Sequence, residues 1–277
     1  MSWTAIEFDF ERPEDVEVAA ALLQLHGFAY FEEREHQLIA YWDEESPMPE
    51  EASLRAQLAN LSLSAIRSER LEDRNWNEEW ERNYPPVEID DFCRIRAPFH
   101  DHQAGFELEL ELRPAMAFGT GHHSTTSSVI RLIRDLDLRD RYVLDMGCGT
   151  GVLGILAEKM NAKAVVLADN FDWACASTEE NAGRNNCQRF EVVLGGPESL
   201  KPHQKAFDII LANINRNVLL EQMSDYDRLG TKNCDLLLSG FYEEDADLIE
   251  AEAAKYAWLP KRFVVEKRWK AIHFIRS

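Results

Sequence analysis

The chain has 277 residues, 45% hydrophobic and 29% charged, a composition typical of a globular protein with room for two domains. No apolar run approaches the roughly 18–20 residues that span a bilayer, which argues against a helical membrane protein. The net charge of −20 is uneven, because residues 1–115 hold 27 acidic against 10 basic residues and the first lysine is Lys159. A surface of this sign repels nucleic-acid backbones, and it either attracts a cationic partner or serves solubility alone.

The compartment is predicted from the N-terminus and the cysteines. Residues 1–15 lack the basic start and apolar stretch of a signal peptide. The five cysteines contain no C-x-x-C pair and no metal-ligand spacing. Both features favour a reducing cytoplasm.

The first 70 residues alternate between strand and helix patterns. Residues 2–10 alternate apolar and polar, a helix opens at Pro13, and 28–42 is typical of a hairpin. A second helix follows Pro49, and residues 63–71 supply a last strand. This order predicts a small α+β domain of ferredoxin-like topology over 1–71.

A charged segment follows this predicted domain. Trp76 and Trp80 lie four residues apart, which places both indoles on one face of a helix. We predict a linker helix over 72–90. Two alternating strands are then predicted in residues 91–98 and 106–114.

From residue 122 strands alternate with helices. Five near-continuous apolar runs are expected for strands covered on both faces: residues 142–147, 164–169, 190–195, 207–214 and 234–240. A final antiparallel pair is predicted in 262–277. The pattern predicts a doubly wound α/β sheet in a catalytic domain over 91–277.

A glycine-rich turn, "LDMGCGTGVLGI", lies between the first of these strands and a helix. Gly147, Gly149 and Gly151 leave the backbone open to a ligand at the carboxyl edge of the sheet. The G-x-G-x-G spacing, with Asp145 two residues before it, differs from the G-x-G-x-x-G frame of dehydrogenases. The turn therefore favours a nucleoside ligand without a pyrophosphate.

Two polar residues each end a predicted strand. Asp169 lies 22 residues after Gly147, where a carboxylate can bind both ribose hydroxyls of a nucleoside. Asn213 ends the run 207–214, and its neutral amide can accept a hydrogen bond from an amine. The alternative for Asn213 is a cap on the following helix.

The stretch "MAFGTGHHSTT" (116–126) has three possible interpretations: a phosphate cradle, a metal site or a lid. His122 and His123 are adjacent and have no further ligands at metal spacing, so no metal site is predicted. The glycines allow close backbone approach, while Thr125 and Thr126 offer hydroxyls near a helix start. We interpret the stretch as a lid over a cofactor.

Six features occur together in this order: "AFGTGHHSTT", "LDMGCGTGVLGI", Asp169, "NAGRNN", "LANI" and "LLLSG". Over residues 72–277 the chain resembles the PrmA family, bacterial S-adenosylmethionine-dependent methyltransferases of large-subunit ribosomal protein eleven. The resemblance implies a Rossmann-like class I methyltransferase fold, with a ferredoxin-like domain that recognises the ribosomal protein. Two stretches, "DNFDW" after the second strand and "NINR" at Asn213, depart from the family pattern.

The resemblance also implies which residues bind S-adenosylmethionine. The positions it implies are Thr126, Gly147, Asp169 and Asn213, to which we add Gly119, Thr120, Gly149 and Gly151. Asn213 is in addition the predicted catalytic residue, because its amide can position an acceptor amine.

The predicted function is transfer of methyl groups to lysine and α-amino groups of a lysine-rich ribosomal protein by a monomeric enzyme. A methyltransferase of small molecules or of glutamine is an alternative, although the glutamine enzymes typically carry "NPPY" where this chain has "NINR". Two further alternatives are a nicotinamide dehydrogenase and a non-catalytic cofactor-binding module. The glycine spacing argues against the dehydrogenase, and the intact set of pocket residues argues against the non-catalytic module.

Overall fold

The computed structural model describes residues 3–24, 28, 30–43, 49–70, 84–113, 123–203 and 206–276. The chain separates into two units, Met1–Pro85 and Pro86–Ser277. The described residues of the two units have separate hydrophobic cores.

The N-terminal unit contains one antiparallel sheet and two helices. Its elements are β1 (Trp3–Phe10), α1 (Glu14–Gln24), β2 (Tyr30–Arg34), β3 (Gln37–Asp43), α2 (Glu51–Gln57) and β4 (Leu63–Arg70). The sheet order is β2-β3-β1-β4, which is the ferredoxin-like order expected from the sequence. Along β1, Ile6, Phe8 and Phe10 are buried in a core shared with Leu23 of α1 and Leu54 of α2, so both helices cover the same face of the sheet.

The predicted linker helix over 72–90 is wrong at its C-terminal end. Residues 71–83, with Trp76 and Trp80, lie outside the described residues. Val87–Ile89 form a strand, β5, which pairs antiparallel with residues 93–95. The prolines at 85 and 86 explain the difference, because proline disfavours helical backbone in the residue before it and cannot donate a helical hydrogen bond.

The second unit contains two sheets. Its strands are β5, β6 (Cys93–Arg96), β7 (Leu108–Glu111), β8 (Tyr142–Met146), β9 (Ala164–Asp169), β10 (Phe190–Leu194), β11 (Phe207–Asn213), β12 (Gly230–Tyr242), β13 (Trp258–Glu266) and β14 (Trp269–Arg276). Its α-helices are α3 (Ser124–Arg134), α4 (Val152–Lys159), α5 (Asp172–Arg184), α6 (Arg216–Leu229) and α7 (Ala246–Ala254), and short 3₁₀ helices cover Pro197–His203 and Glu243–Asp245. No helix in the described part of the chain is long and apolar enough to cross a membrane.

The large sheet has the order β10-β9-β8-β11-β12-β14-β13, while β5, β6 and β7 form the small one. Neighbours from β10 to β12 are parallel, and β14 is antiparallel to both β12 and β13. Along β8, Val143 belongs to the core on one face and Leu144 to the core on the other. Burial on both faces explains why the predicted strands are near-continuous apolar runs.

The order of strands also locates a crevice. The order in which successive strands are added to the sheet reverses between β8 and β11. From β8 to β10 each strand is added on one side of β8, whereas β11 and β12 lie on the other side. Ligands of doubly wound sheets bind at the carboxyl ends of the strands at such a point. The turn after β8 and Asn213 at the end of β11 are both at this edge.

Candidate active site

The turn after β8 is built from glycines in left-handed backbone conformations. The φ angles of Gly147, Gly149 and Gly151 are 72°, 56° and 79°, values that favour glycine over residues with a side chain. The amide nitrogens of Gly147 and Cys148 donate to the carbonyl of Ala168 at 2.8 and 3.1 Å. The turn is thereby fastened to the end of β9.

Asp145, the acid that precedes the turn, has a structural role. Its side chain is buried, and its Oδ2 accepts a hydrogen bond from the Gly154 amide at 2.8 Å. Burial raises the pKa of the Asp145 carboxyl to about 7. The residue joins β8 to α4, a role that its position two residues before the glycines did not indicate.

Asp169 lies beside the glycine turn. Its Oδ2 accepts from the Gly149 amide at 3.0 Å, and its Oδ1 accepts from the Phe171 amide at 3.1 Å. Burial raises the pKa of the Asp169 carboxyl, although these backbone hydrogen bonds oppose the shift. Because a carboxylate offers about four lone-pair sites, Asp169 can still accept a hydrogen bond from a ligand hydroxyl.

Side chains of α5 hold the carbonyl groups of the same turn. The hydroxyl of Thr178 donates to the Gly149 carbonyl, and Asn181 Nδ2 donates to the Thr150 carbonyl, each at 3.0 Å. Asn181 Oδ1 accepts from the Arg113 amide at 2.8 Å. One buried amide therefore connects the glycine turn to the chain segment that leads into 116–126.

A second asparagine, at the C-terminal end of α5, extends this attachment. Asn185 accepts from the Glu111 amide at 2.9 Å and donates to the Glu111 carbonyl at 2.7 Å. Asn181 and Asn185 are the first and fifth residues of "NAGRN", a spacing that places both on one helix face. That spacing was the signal available in the sequence, although no role was predicted from it.

Asn213 is buried, with 8% of its surface exposed. Its Nδ2 donates to the hydroxyl oxygen of Thr126 at 3.2 Å, while its Oδ1 has no hydrogen-bond partner among the described residues. A buried unpaired acceptor is costly, so this oxygen is suited to a ligand that brings a donor. The alternative role as a helix cap is wrong, because the cap of α6 is Asn215, whose Oδ1 accepts from the Val218 amide at 3.2 Å.

Ile214 packs between the ends of three strands. A Cβ atom on Gly147 would clash with the Ile214 side chain, and one on Gly240 would clash with the Ile214 backbone. Gly240 also has a φ of 95°. These contacts hold the ends of β8, β11 and β12 together beside Asn213, and they give the glycine of "LLLSG" a packing role.

We expect Gly240→Ala to lower the free energy of unfolding by about 2–4 kcal/mol, because the methyl group meets backbone atoms and the left-handed φ is strained. Gly183→Ala is the matched control. Gly183 lies in α5, and beyond its own helix backbone and chain neighbours no heavy atom lies within 4 Å of where a Cβ would be, so alanine should stabilise the protein by roughly 0.5–1 kcal/mol. Urea denaturation measures both changes, and equal stability of the two variants would contradict the packing argument.

The stretch 116–126 is described only from His123 onward. Gly119, Thr120 and His122 lie outside the described residues, so their predicted roles stay predictions. His123 caps α3, with its Nδ1 3.3 Å from the Thr125 amide and 2.8 Å from the Thr125 hydroxyl. Within the described residues, no group of three or more His, Cys, Asp or Glu side chains could hold a metal ion.

The predicted site residues form two adjacent groups. Asp169 lies at the glycine turn, and Asn213 lies with Thr126. Contact between Ile214 and Gly147 makes the groups neighbours. A glycine turn, a carboxylate at its edge and an amide oxygen without a donor among the described residues fit a nucleoside-containing ligand beside an amine.

The sequence matches a family model described as Ribosomal protein L11 methyltransferase (PrmA) over residues 12–277. The chain belongs to the ribosomal protein L11 methyltransferase family. The resemblance seen in the sequence and the predicted enzyme class are thereby confirmed. S-adenosylmethionine is the methyl donor of this family.

Individual members of the L11 methyltransferase family are similar to the chain over nearly its whole length. A ribosomal protein L11 methyltransferase of Porphyromonas gingivalis is 40% identical, covering 99% of this chain and 98% of that protein. One of Chlorobaculum tepidum is 34% identical, covering 95% and 94%. The crystal structure of a ribosomal protein L11 methylase from Lactobacillus delbrueckii subsp. bulgaricus aligns with a TM-score of 0.65 at 26% identity, covering 70% of this chain and all of that one. The predicted Rossmann-like class I methyltransferase fold is confirmed.

Proposed function

We propose that this protein transfers methyl groups from S-adenosylmethionine to lysine and α-amino groups of ribosomal protein L11. The observation that carries the proposal is the buried Asn213 Oδ1, which lies at the reversal point of the sheet and accepts no hydrogen bond from the described residues. An amine supplies the donor that this oxygen requires. The names of the relatives support L11 as the substrate.

The methyl donor fits the first group of site residues. When bound, S-adenosylmethionine supplies an electrophilic methyl group on its sulfonium sulfur. Asp169 would accept hydrogen bonds from the ribose hydroxyls, beside the turn of Gly149 and Gly151 whose left-handed backbone favours glycine. The rest of the predicted donor-binding set is Thr126, Gly147, Asn213, Gly119 and Thr120.

The acceptor amine must be neutral to react. A lysine amine has a pKa of about 10.4, so at pH 7 it is mostly protonated, and burial near Asn213 disfavours the charged form. Asn213 Oδ1 accepts one N–H and so orients the nitrogen lone pair away from the amide. In that orientation the lone pair is available to the methyl group that a bound donor would supply, and the proton lost by the amine would pass to water. Rate enhancement comes mainly from desolvation and alignment.

The N-terminal unit supplies the charge that would attract the substrate. Residues 1–70 contain 15 acidic against five basic side chains and no lysine. Glu32, Glu33 and Glu35 are exposed on the β2–β3 hairpin, and Arg34 pairs with Glu32 at 3.1 Å. The remaining negative charge is complementary to a lysine-rich protein. We assign substrate recognition to this unit.

Composition supports proposals about the compartment, the mode of substrate recognition and the oligomeric state of the enzyme. All five cysteines are free and buried, which suits a reducing cytoplasm. The net charge of −20 disfavours direct contact with nucleic acid, so recognition through the protein part of the substrate is favoured. We infer that the enzyme acts as a monomer.

The test of the proposal is Asn213→Ala, assayed with labelled methyl donor and purified L11. We expect the maximal methylation rate to fall about a hundredfold, as for loss of one preorganised polar group, with donor affinity changed less than about threefold. Asn215→Ala is the matched control, because it removes a helix cap two residues away and should keep the rate. An unchanged rate with weakened donor binding would make Asn213 a donor contact only. Labelling of small molecules but not of L11 in a cell extract would contradict the proposed substrate.

A further inference from the structure

The stretch "NINR" departs from the family pattern, and its last residue, Arg216, forms an ion pair with a neighbouring loop. Arg216 is the first residue of α6, three positions after Asn213. Its Nη1 donates to Asp245 Oδ1 at 2.6 Å. Asp245 ends the short 3₁₀ helix that follows β12. The pair therefore joins the chain after β11 to the chain after β12, at the edge of the sheet where Asn213 lies.

Neither member of the pair has the role that its position alone would favour. A cation in the first turn of a helix is unfavourable, because the amide groups there already carry a partial positive charge. The first turn of α6 contains no acidic residue that could compensate Arg216. An aspartate directly before a helix commonly caps it, but the Asp245 side chain makes no capping hydrogen bond with the described residues of α7. The ion pair accounts for both departures.

We propose that the Arg216–Asp245 ion pair is a clamp that fixes the loop of Asn213 and Ile214 against the end of β12, with Arg216 and Asp245 as positioning residues for methyl transfer. The inference rests on the proposed function, because it concerns how the loop that follows the acceptor amide is kept in place. Neither side chain is assigned a contact with the donor or with the amine.

The loop between Asn213 and Arg216 is attached at each of its residues. The backbone of Ile214 lies so close to Gly240 of β12 that a Cβ atom on the glycine would clash with it. Asn215 caps α6 with its side chain. The ion pair adds a second link to the β12 side, two residues beyond Ile214. A shift of the loop away from β12 must therefore break the ion pair as well as the packing at Gly240.

The guanidinium of Arg216 is oriented by two acceptors. Its Nε and Nη2 lie 3.2 and 3.1 Å from Asn217 Oδ1, while Nη1 faces Asp245. Because the guanidinium is planar, acceptors on two of its edges fix its direction. The side chains of Arg216 and Asp245 are 40% and 17% exposed, so water screens this pair less than one on the open surface. The clamp is suited to favour one arrangement of the loop several-fold.

The experiment compares Arg216→Gln and Asp245→Asn, which each remove one charge of the pair, in the full chain with labelled donor and purified L11. We expect either variant to lower kcat about fivefold, the upper value for a partly exposed ion pair, because methyl transfer depends on alignment. The donor Kd and the KM for L11 should change less than about twofold. If either variant does not fold, alanine at that position takes its place.

The matched control is Asp227→Asn. It breaks an ion pair of 3.0 Å with Arg276, toward the C-terminal end of the same helix α6 and away from the carboxyl edge of the sheet. This variant should keep the wild-type kcat. An equal loss of kcat in Asp227→Asn would show a general effect of weakening α6 and would overturn the clamp.

A double variant tests whether the two residues act as one. Arg216→Gln combined with Asp245→Asn should have the kcat of either single variant, because the pair is lost only once. Unchanged kcat in the single variants, a loss in only one of them, losses that multiply, or a KM for L11 raised by Arg216→Gln alone would overturn the clamp and leave the proposed function standing. Full activity of Asn213→Ala would overturn both.

Discussion

A fragment that begins at Glu72 is expected to bind S-adenosylmethionine with the affinity of the full chain and to lose at least about a hundredfold in kcat/KM for L11. The loss has the size of an effective-concentration effect, because the acidic unit would hold the substrate near the pocket. The described cores of the two units are separate, so removal of one leaves the other packed. Calorimetry of donor binding and initial methylation rates on L11 measure the two quantities.

Salt provides the control for this prediction. Attraction between exposed charges is screened at a Debye length of about 8 Å in physiological salt, so raising the salt concentration should slow substrate association by the full chain. The fragment should show a weaker dependence on salt, since it lacks the acidic residues of 1–70. Full turnover of L11 by the fragment would end the recognition role. Loss of donor binding would show instead that the two units form one cooperative structure.

Asp169→Ala is expected to weaken binding of S-adenosylmethionine by roughly ten- to a hundredfold. Hydrogen bonds to a charged acceptor contribute about 1.5–3 kcal/mol each, and this variant also releases the Gly149 and Phe171 amides. Asp169→Asn should weaken binding less, because an amide oxygen can still accept one of these hydrogen bonds. Asp172→Asn, at the first residue of α5, is the charge-matched control and should leave the Kd unchanged. Unchanged affinity in a folded Asp169→Ala variant would remove Asp169 from the donor site.

The same residue predicts a pH dependence. Burial raises the pKa of Asp169, so its protonation begins at a higher pH than that of an ordinary aspartate. The carboxylate is the form that accepts from both ribose hydroxyls, so donor affinity should fall as the pH is lowered through this raised pKa. Asp169→Asn cannot titrate and should lack this part of the pH dependence. Calorimetric titrations across acidic pH distinguish the two behaviours.

Much of the fold could be predicted because burial leaves a local pattern. Each central strand is covered on both faces, and its continuous apolar run shows this directly in the sequence. The proximity of Asp169 to the glycine turn also follows from topology, since the carboxyl ends of adjacent parallel strands share one edge. The end of the linker was mispredicted because the charged pattern before Pro85 was extended past two prolines.

The contacts that orient the site could not be predicted in this way. Thr126 and Asn213 are 87 residues apart, and their hydrogen bond leaves no periodic signal. The same holds for the bridge from Asn181 to Arg113, and for the packing of Ile214 against Gly240. Such contacts depend on how whole elements pack, and a single sequence reports only the residue types that permit them.

The packing of Ile214 has a consequence for attempts to give this enzyme a new acceptor. Gly147 belongs to the glycine turn, yet the group that excludes a side chain there is Ile214, the residue after Asn213. A chimera that imports the "NINR" loop region from another methyltransferase therefore also changes the space around the glycine turn. A larger side chain at 214 would press on that turn, and a smaller one would open a cavity beneath it. Positions 147, 214 and 240 should be exchanged together as one unit of design.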